Sequence, residues 1–167
     1  MIAHLVCFLA LVVFYILQTT IFSQTVLISG TADLILLFLI AWSMQKQIKN
    51  SWLWTGIAGF LISLNSAMPF YAPLIGYLGV VGISKYFQKW VWQTPLLAMY
   101  LVTFLGTFFQ QSLYLVALQI NGAPISWRES LDAVILPSVL LNIIFALPIY
   151  AVANDLAGRI YPLEVET

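Results

Sequence analysis

Apolar runs of helical length alternate with short polar breaks along almost the whole chain. A helix needs about 20 residues to cross a hydrocarbon core, and six stretches approach that length. The first is Leu5–Phe22. The second ends at Trp42–Met44. Its uninterrupted apolar part, Leu34–Trp42, is too short alone, so the pattern predicts a start near Val26 with Gly30 and Asp33 absorbed. A bent or half-inserted segment is the alternative. The third runs Leu53–Met68 and the fourth Phe70–Tyr86. The fifth opens at Pro95, a favourable first helical position behind Thr94 as cap, and runs to about Gln119. The sixth covers about Ala133 to Val152. Between them lie Gln45–Asn50, Met68-Pro69, Gln88-Lys89 and the longest break, Asn121–Ser130, opened by the turn pair Asn121-Gly122 and by Pro124. The alternating pattern of a membrane barrel is absent. The expectation is an all-α integral membrane protein, with six transmembrane helices in one bundle and a single domain over residues 1–167.

Composition sharpens this picture. Hydrophobic residues make up 62% of the chain and charged ones only 7%, against about 25% charged in soluble domains. Lipid is therefore the expected solvent for most of the surface, with membrane lipid as a partner. The first run could be mistaken for a cleaved signal, but no Lys or Arg precedes it, only His4, and no small-x-small site follows. A retained first span is expected. Net charge is zero and no basic stripe exists, so the footprint of nucleic-acid binding is missing. The basic residues fix an orientation. Lys46 and Lys49 follow span two, Lys85 and Lys89 span four, and Arg159 span six, with Arg128 alone opposite. Loops rich in Lys and Arg stay inside, which places both termini in the cytoplasm. Trp42, Trp52, Trp54, Trp90 and Trp92 fall near that inner interface and Trp127 at the outer one.

The chain offers little for catalysis. The one histidine, His4, precedes the first span, and the one cysteine, Cys7, has no partner for a disulfide. A nucleophile–base pair and a transition-metal site are therefore not expected, nor is any cofactor. Asp33 and Asp132 are acids near span boundaries; an ionisable group at membrane depth is a functional candidate by default. Each is also explained by a helix start, where the dipole favours an acid. Thr55, Gly59, Ser63 and Ala67 repeat every fourth residue in span three, and Ala72, Gly76, Gly79 and Gly82 follow in span four. Such small faces let helices approach closely in lipid, either within the bundle or against a partner. Span six carries Pro137 and Pro148, which can kink it, and between them Asn142, whose amide needs a bond to another helix. The pair Gln110-Gln111 could supply it.

The run Leu136-Pro137-Ser138-Val139-Leu140-Leu141-Asn142, followed by Pro148-x-Tyr150, resembles the last span of the rod shape-determining protein MreD family. Gln18-Thr19-Thr20-Ile21-Phe22 resembles that family's first-span exit. Asp33-Leu34-Ile35-Leu36-Leu37 with Ala41-Trp42 resembles its second segment, and Gly56-x-x-Gly59-Phe60-Leu61 its third. Two positions depart: Ala32 stands where a proline usually precedes the aspartate, and Ser63 where an acidic residue is common. The resemblance implies a non-catalytic scaffold of the cell-elongation machinery that builds lateral peptidoglycan, in the bacterial cytoplasmic (inner) membrane. Its implied direct partner is MreC, with MreB and the wall-synthesis glycosyltransferase and transpeptidase in the wider complex. The implied fold is like the substrate-binding component of energy-coupling-factor transporters. A vitamin-capturing subunit of such a transporter is the alternative. That class usually shows an Ala-x-x-x-Ala face in its first span, whereas Ala3 and Ala10 lack the spacing.

Overall fold

The computed structural model describes residues 2–22, 30–88 and 94–161, which form an all-α structure with six helices. Helix α1 spans Ile2–Leu17 and widens into a π turn over Gln18–Phe22. There the Thr19 hydroxyl bonds back to the Tyr15 carbonyl at 2.9 Å, the kind of side-chain bond that bends a helix. Then come α2 (Leu34–Met44), α3 (Ser51–Asn65), α4 (Tyr71–Phe87) and α5 (Pro95–Ile120). Helix α6 is one rod over Trp127–Ile160. It widens into a π turn at Leu131–Ile135, where the Leu136 N–H reaches back to the Leu131 carbonyl. The wider turn directly precedes Pro137, which has no N–H to continue the regular ladder. Helices α5 and α6 are long and apolar enough to cross a membrane.

Three boundaries differ from the sequence expectation. The second helix starts at Leu34, and neither Gly30 nor Asp33 is helical; Val26 lies outside the described residues. Asp33 instead caps α2, its backbone extended at φ −106° and ψ 90° and its carboxylate accepting from the Leu36 N–H at 2.8 Å. A short acceptor side chain competes with the helix before it and stabilises the helix after it. The third helix stops at Asn65, because Ser66 turns extended (φ −89°, ψ 142°), so Ala67 lies beyond it. The sixth begins before Ala133 and outruns Val152, its last turns carrying an Asp155–Arg159 pair at 2.9 Å, the spacing that supports a helix surface.

Helix α2 is the hub. All of its residues are buried, as expected of a helix that is apolar on every side. Its 11 residues reach only about 16 Å. Phe38 packs on Phe14 of α1 at 5.0 Å and stacks on Trp42 at 5.5 Å. Trp42 is thus an interior residue, 2% exposed, and its indole N–H finds no partner among the described residues. This corrects its placement at a wet interface. Trp54 is also buried, against the His4 ring at 5.8 Å. Trp52 and Trp127 are exposed, and Trp90 and Trp92 lie outside the described residues.

Hydrogen bonds fix which ends meet. The Gln88 amide donates to the Gln45 carbonyl at 3.1 Å and the Lys85 ammonium to the Ile48 carbonyl at 3.1 Å. The loop after α2, the end of α4 and the start of α1 therefore share one end, which carries Lys46, Lys49 and Lys85. At the other end the Asn121 amide donates to the Tyr71 hydroxyl at 3.2 Å, next to the turn that leads to Arg128.

Candidate functional site

Polar side chains inside an apolar bundle must find one another, because an unpaired buried group costs about 1–3 kcal/mol. Here they converge on the extended stretch before α2. Asp33 is half-buried, and both of its carboxylate oxygens are engaged. One oxygen caps α2; the other accepts from the Tyr77 hydroxyl of α4 at 2.8 Å and from the Gln110 amide of α5 at 3.1 Å. The same Gln110 nitrogen also donates to the Tyr114 hydroxyl at 2.8 Å. From α6, the Asn142 oxygen accepts from the Asp33 backbone N–H at 2.8 Å, while its nitrogen donates to the Thr107 hydroxyl of α5 at 2.9 Å. One turn earlier, the Ser138 hydroxyl accepts from the Thr31 N–H at 3.2 Å. From α1, the Gln18 oxygen accepts from the Ile35 N–H at 3.1 Å. Backbone donors left over at a helix start are thereby satisfied by side chains from two other helices.

Glycine and proline make the close approach possible. A Cβ on Gly30 would stand 2.6 Å from the Pro137 Cβ and 2.7 Å from the Ser138 nitrogen. The extended backbone is thus pressed onto α6 where Pro137 offers no N–H of its own. The pair of expected kinks separates accordingly: Pro137 is buried and seats Gly30, whereas Pro148 sits inside α6 on an exposed face. Below the network, α6 continues its buried face through Ala146, Ala153 and Ala157.

Asp33 and Asn142, chosen from the sequence, come together. Buried partners for Asp33 were not expected; Tyr77 and Gln110 supply them. Gln110 was foreseen as a partner for Asn142, and it bonds Asp33 and Tyr114 instead. The overlooked residues had a signal. Thr107 and Tyr114 recur with Thr103 and the already noted Gln110 at helical spacing within the apolar α5, a polar stripe that marks one inward face. Asp132 is exposed, near the start of α6.

The small residues of α3 lie apart from this network, whereas Gly76 of α4 adjoins it at Gln110 and Tyr114. Thr55, Gly59 and Ser63 are buried, and Ala67 is exposed past the helix end. The Thr55 and Ser63 hydroxyls bond back to the Ser51 and Gly59 carbonyls at 2.8 and 2.7 Å, so both act as small side chains. A Cβ on Gly59 would meet Leu74 of α4 at 3.1 Å. One on Gly76 would meet Gln110 at 3.2 Å, and one on Gly79 would collide with the Phe109 ring. These faces therefore join α3 to α4 and α4 to α5. Gly59→Leu should cost about 1–3 kcal/mol by overpacking, read as a lower melting temperature in mild detergent. Gly56→Leu, where nothing lies within 4 Å, should melt no lower than the parent. Equal melting of the two variants would show that α3 does not rest on α4 at Gly59.

Chemically the arrangement is a fastener. Both Asp33 oxygens are engaged by donors, and His4 lies at the opposite end of α1. No protein-family model, no curated protein and no solved structure matches the chain.

Proposed function

We propose that this chain is a six-span, non-catalytic scaffold of the bacterial cell-elongation machinery, held in the cytoplasmic membrane and binding MreC. The observation that carries the membrane part is an inverted partition of polarity. Inside, the Tyr77 hydroxyl and the Gln110 amide bond the Asp33 carboxylate, and Asn142 bonds the Asp33 backbone and Thr107. Phe8 and Val13 of α1, Leu97 and Phe104 of α5, and Leu140 and Ile144 of α6 all stand exposed. A water-soluble monomer rarely exposes large continuous apolar surface, whereas lipid tolerates nothing else. Gathering Lys46, Lys49 and Lys85 at one end favours a cytoplasmic placement of that end and of both termini.

The partner follows from the motif resemblance, and the geometry gives that resemblance a physical sense. Its Asp33, Pro137 and Asn142 meet at one fastener, although 109 residues separate Asp33 from Asn142. Rigid helix faces are what such a protein offers to other proteins. Vitamin capture fits less well, because helix α2 fills the centre of the bundle and the first span lacks the Ala-x-x-x-Ala spacing. Purification of the tagged chain from native membranes should bring down MreC, and its depletion should turn rod-shaped cells round. Recovery of ATPases with a bound vitamin and without MreC would overturn the scaffold reading.

A further inference from the structure

The basic end holds a cation that the described residues do not neutralise. Lys85, half-buried in the last turn of α4, gives one N–H to the Ile48 carbonyl at 3.1 Å. An ammonium has three donors, so two remain. Among the described residues no carboxylate pairs with it; the ion pair there is Arg159 with Asp155. Lys49, exposed, follows Ile48 directly, so its charge lies within side-chain reach of the same corner. An anion at this corner would take up the two remaining Lys85 donors and would be attracted by the exposed Lys49 as well.

An apolar wall adjoins this corner. Trp52 is 48% exposed and its ring tip lies over Gly82, where a Cβ would stand 3.7 Å away. Gly82 is one turn before Lys85 on α4. Leu53 and Tyr86 are exposed as well, Tyr86 edge-on to Phe87 at 5.3 Å. Charge at a rim, an exposed indole beside it and aliphatic surface below form the profile of a lipid at the membrane interface. A free anion would leave the apolar wall unused.

We propose that the Lys49–Lys85 corner binds the phosphate of an anionic phospholipid, with the acyl chains lying along Trp52 and Leu53. This rests on the membrane reading above. The full chain, reconstituted with equal parts phosphatidylglycerol and phosphatidylcholine and released in mild detergent, should retain phosphatidylglycerol by native mass spectrometry. Lys49→Gln and Lys85→Gln should each lower that retention about five-fold. Lys85→Arg should keep it, and Arg128→Gln at the opposite end should leave it unchanged. Equal retention of both lipids, or no loss in the exposed Lys49→Gln variant, overturns the site. The chain's own acids Glu164 and Glu166 are the rival occupant. A several-fold rise in retention when both become Gln would assign the corner to them and overturn the proposal. Incorporation into vesicles without headgroup preference would refute the lipid site and leave the membrane reading standing.

Discussion

Asp33→Leu is expected to be the most destabilising single substitution in the bundle. It removes the acceptor of the Leu36 N–H and the Tyr77 hydroxyl, and one of two acceptors of the Gln110 amide. The leucine cannot replace any of these bonds, and the donors on Leu36, Tyr77 and Gln110 belong to buried residues. Two buried donors without partners cost about 2–6 kcal/mol together. Asp33→Asn should fall between parent and leucine variant, because its oxygen can still cap α2. Asp132→Leu, on the exposed side of α6, should change stability by less than about 0.5 kcal/mol. Thermal melting of the three purified variants in one detergent gives the ranking. If Asp33→Leu melts with Asp132→Leu, the network contributes nothing to the fold.

The second large effect is expected at Gly30. Gly30→Val puts a branched side chain where even a Cβ would be 2.6–2.9 Å from Pro137 and from the Ser138 nitrogen. Most of that obstacle is α6 backbone, which cannot step aside as a side-chain tip can. The extended segment must lift from α6, breaking the Thr31–Ser138 and Asp33–Asn142 bonds. Overpacking alone costs about 1–3 kcal/mol, and the lost bonds add to it. A double-mutant cycle gives the sharper readout. Gly30→Val should make Asn142→Ala nearly silent, because the bond is already gone, with a coupling of about 0.5–3 kcal/mol. Strict additivity would mean that Gly30 and Asn142 do not act on the same contact. Gly56→Ala, in open space on α3, should be stabilising by about 0.5–1 kcal/mol.

The helices were legible because their cause is local. Apolar runs bounded by Gln45–Asn50, Met68-Pro69 and Asn121–Ser130 needed no tertiary knowledge, and α3, α4 and α5 begin and end close to where those breaks put them. The start of the second helix was legible only in part: Asp33 reads both as absorbed in the run and as a helix start, and it is the start. A run through Gly30 and Asp33 looks helical by hydropathy, and what stops it is non-local: Ser138 and Asn142 supply bonds that an extended backbone needs, and Pro137 the surface on which Gly30 rests. Likewise Trp42 carries an interfacial residue's chemistry and an interior residue's position, which only the surroundings of α2 decide. Asn142 announced a bond but not its partner. A side-chain amide on one helix says that something polar faces it, and several helices could provide that. The stripe Thr103, Thr107, Gln110 and Tyr114 was the missing half of the statement, visible once polar residues are plotted on a helix as apolar ones are.

The central position of α2 has a consequence for synthesis. At about 16 Å the helix is too short to be held across a bilayer by its own hydrophobicity, and the Thr31 and Asp33 N–H groups just before it depend on residues not yet made when it leaves the ribosome. Asn142 emerges 109 residues after Asp33, a delay on the order of 5–20 s at ordinary elongation rates. During that interval Asp33 and the bare backbone before Leu34 need a wet or chaperoned environment, because lipid offers no hydrogen bonds. The nascent chain is then a vestibule waiting for its last helix. On the proposed membrane reading, insertion of α2 becomes an event of chain completion, and a ribosome stalled before α6 should leave α2 open to protease.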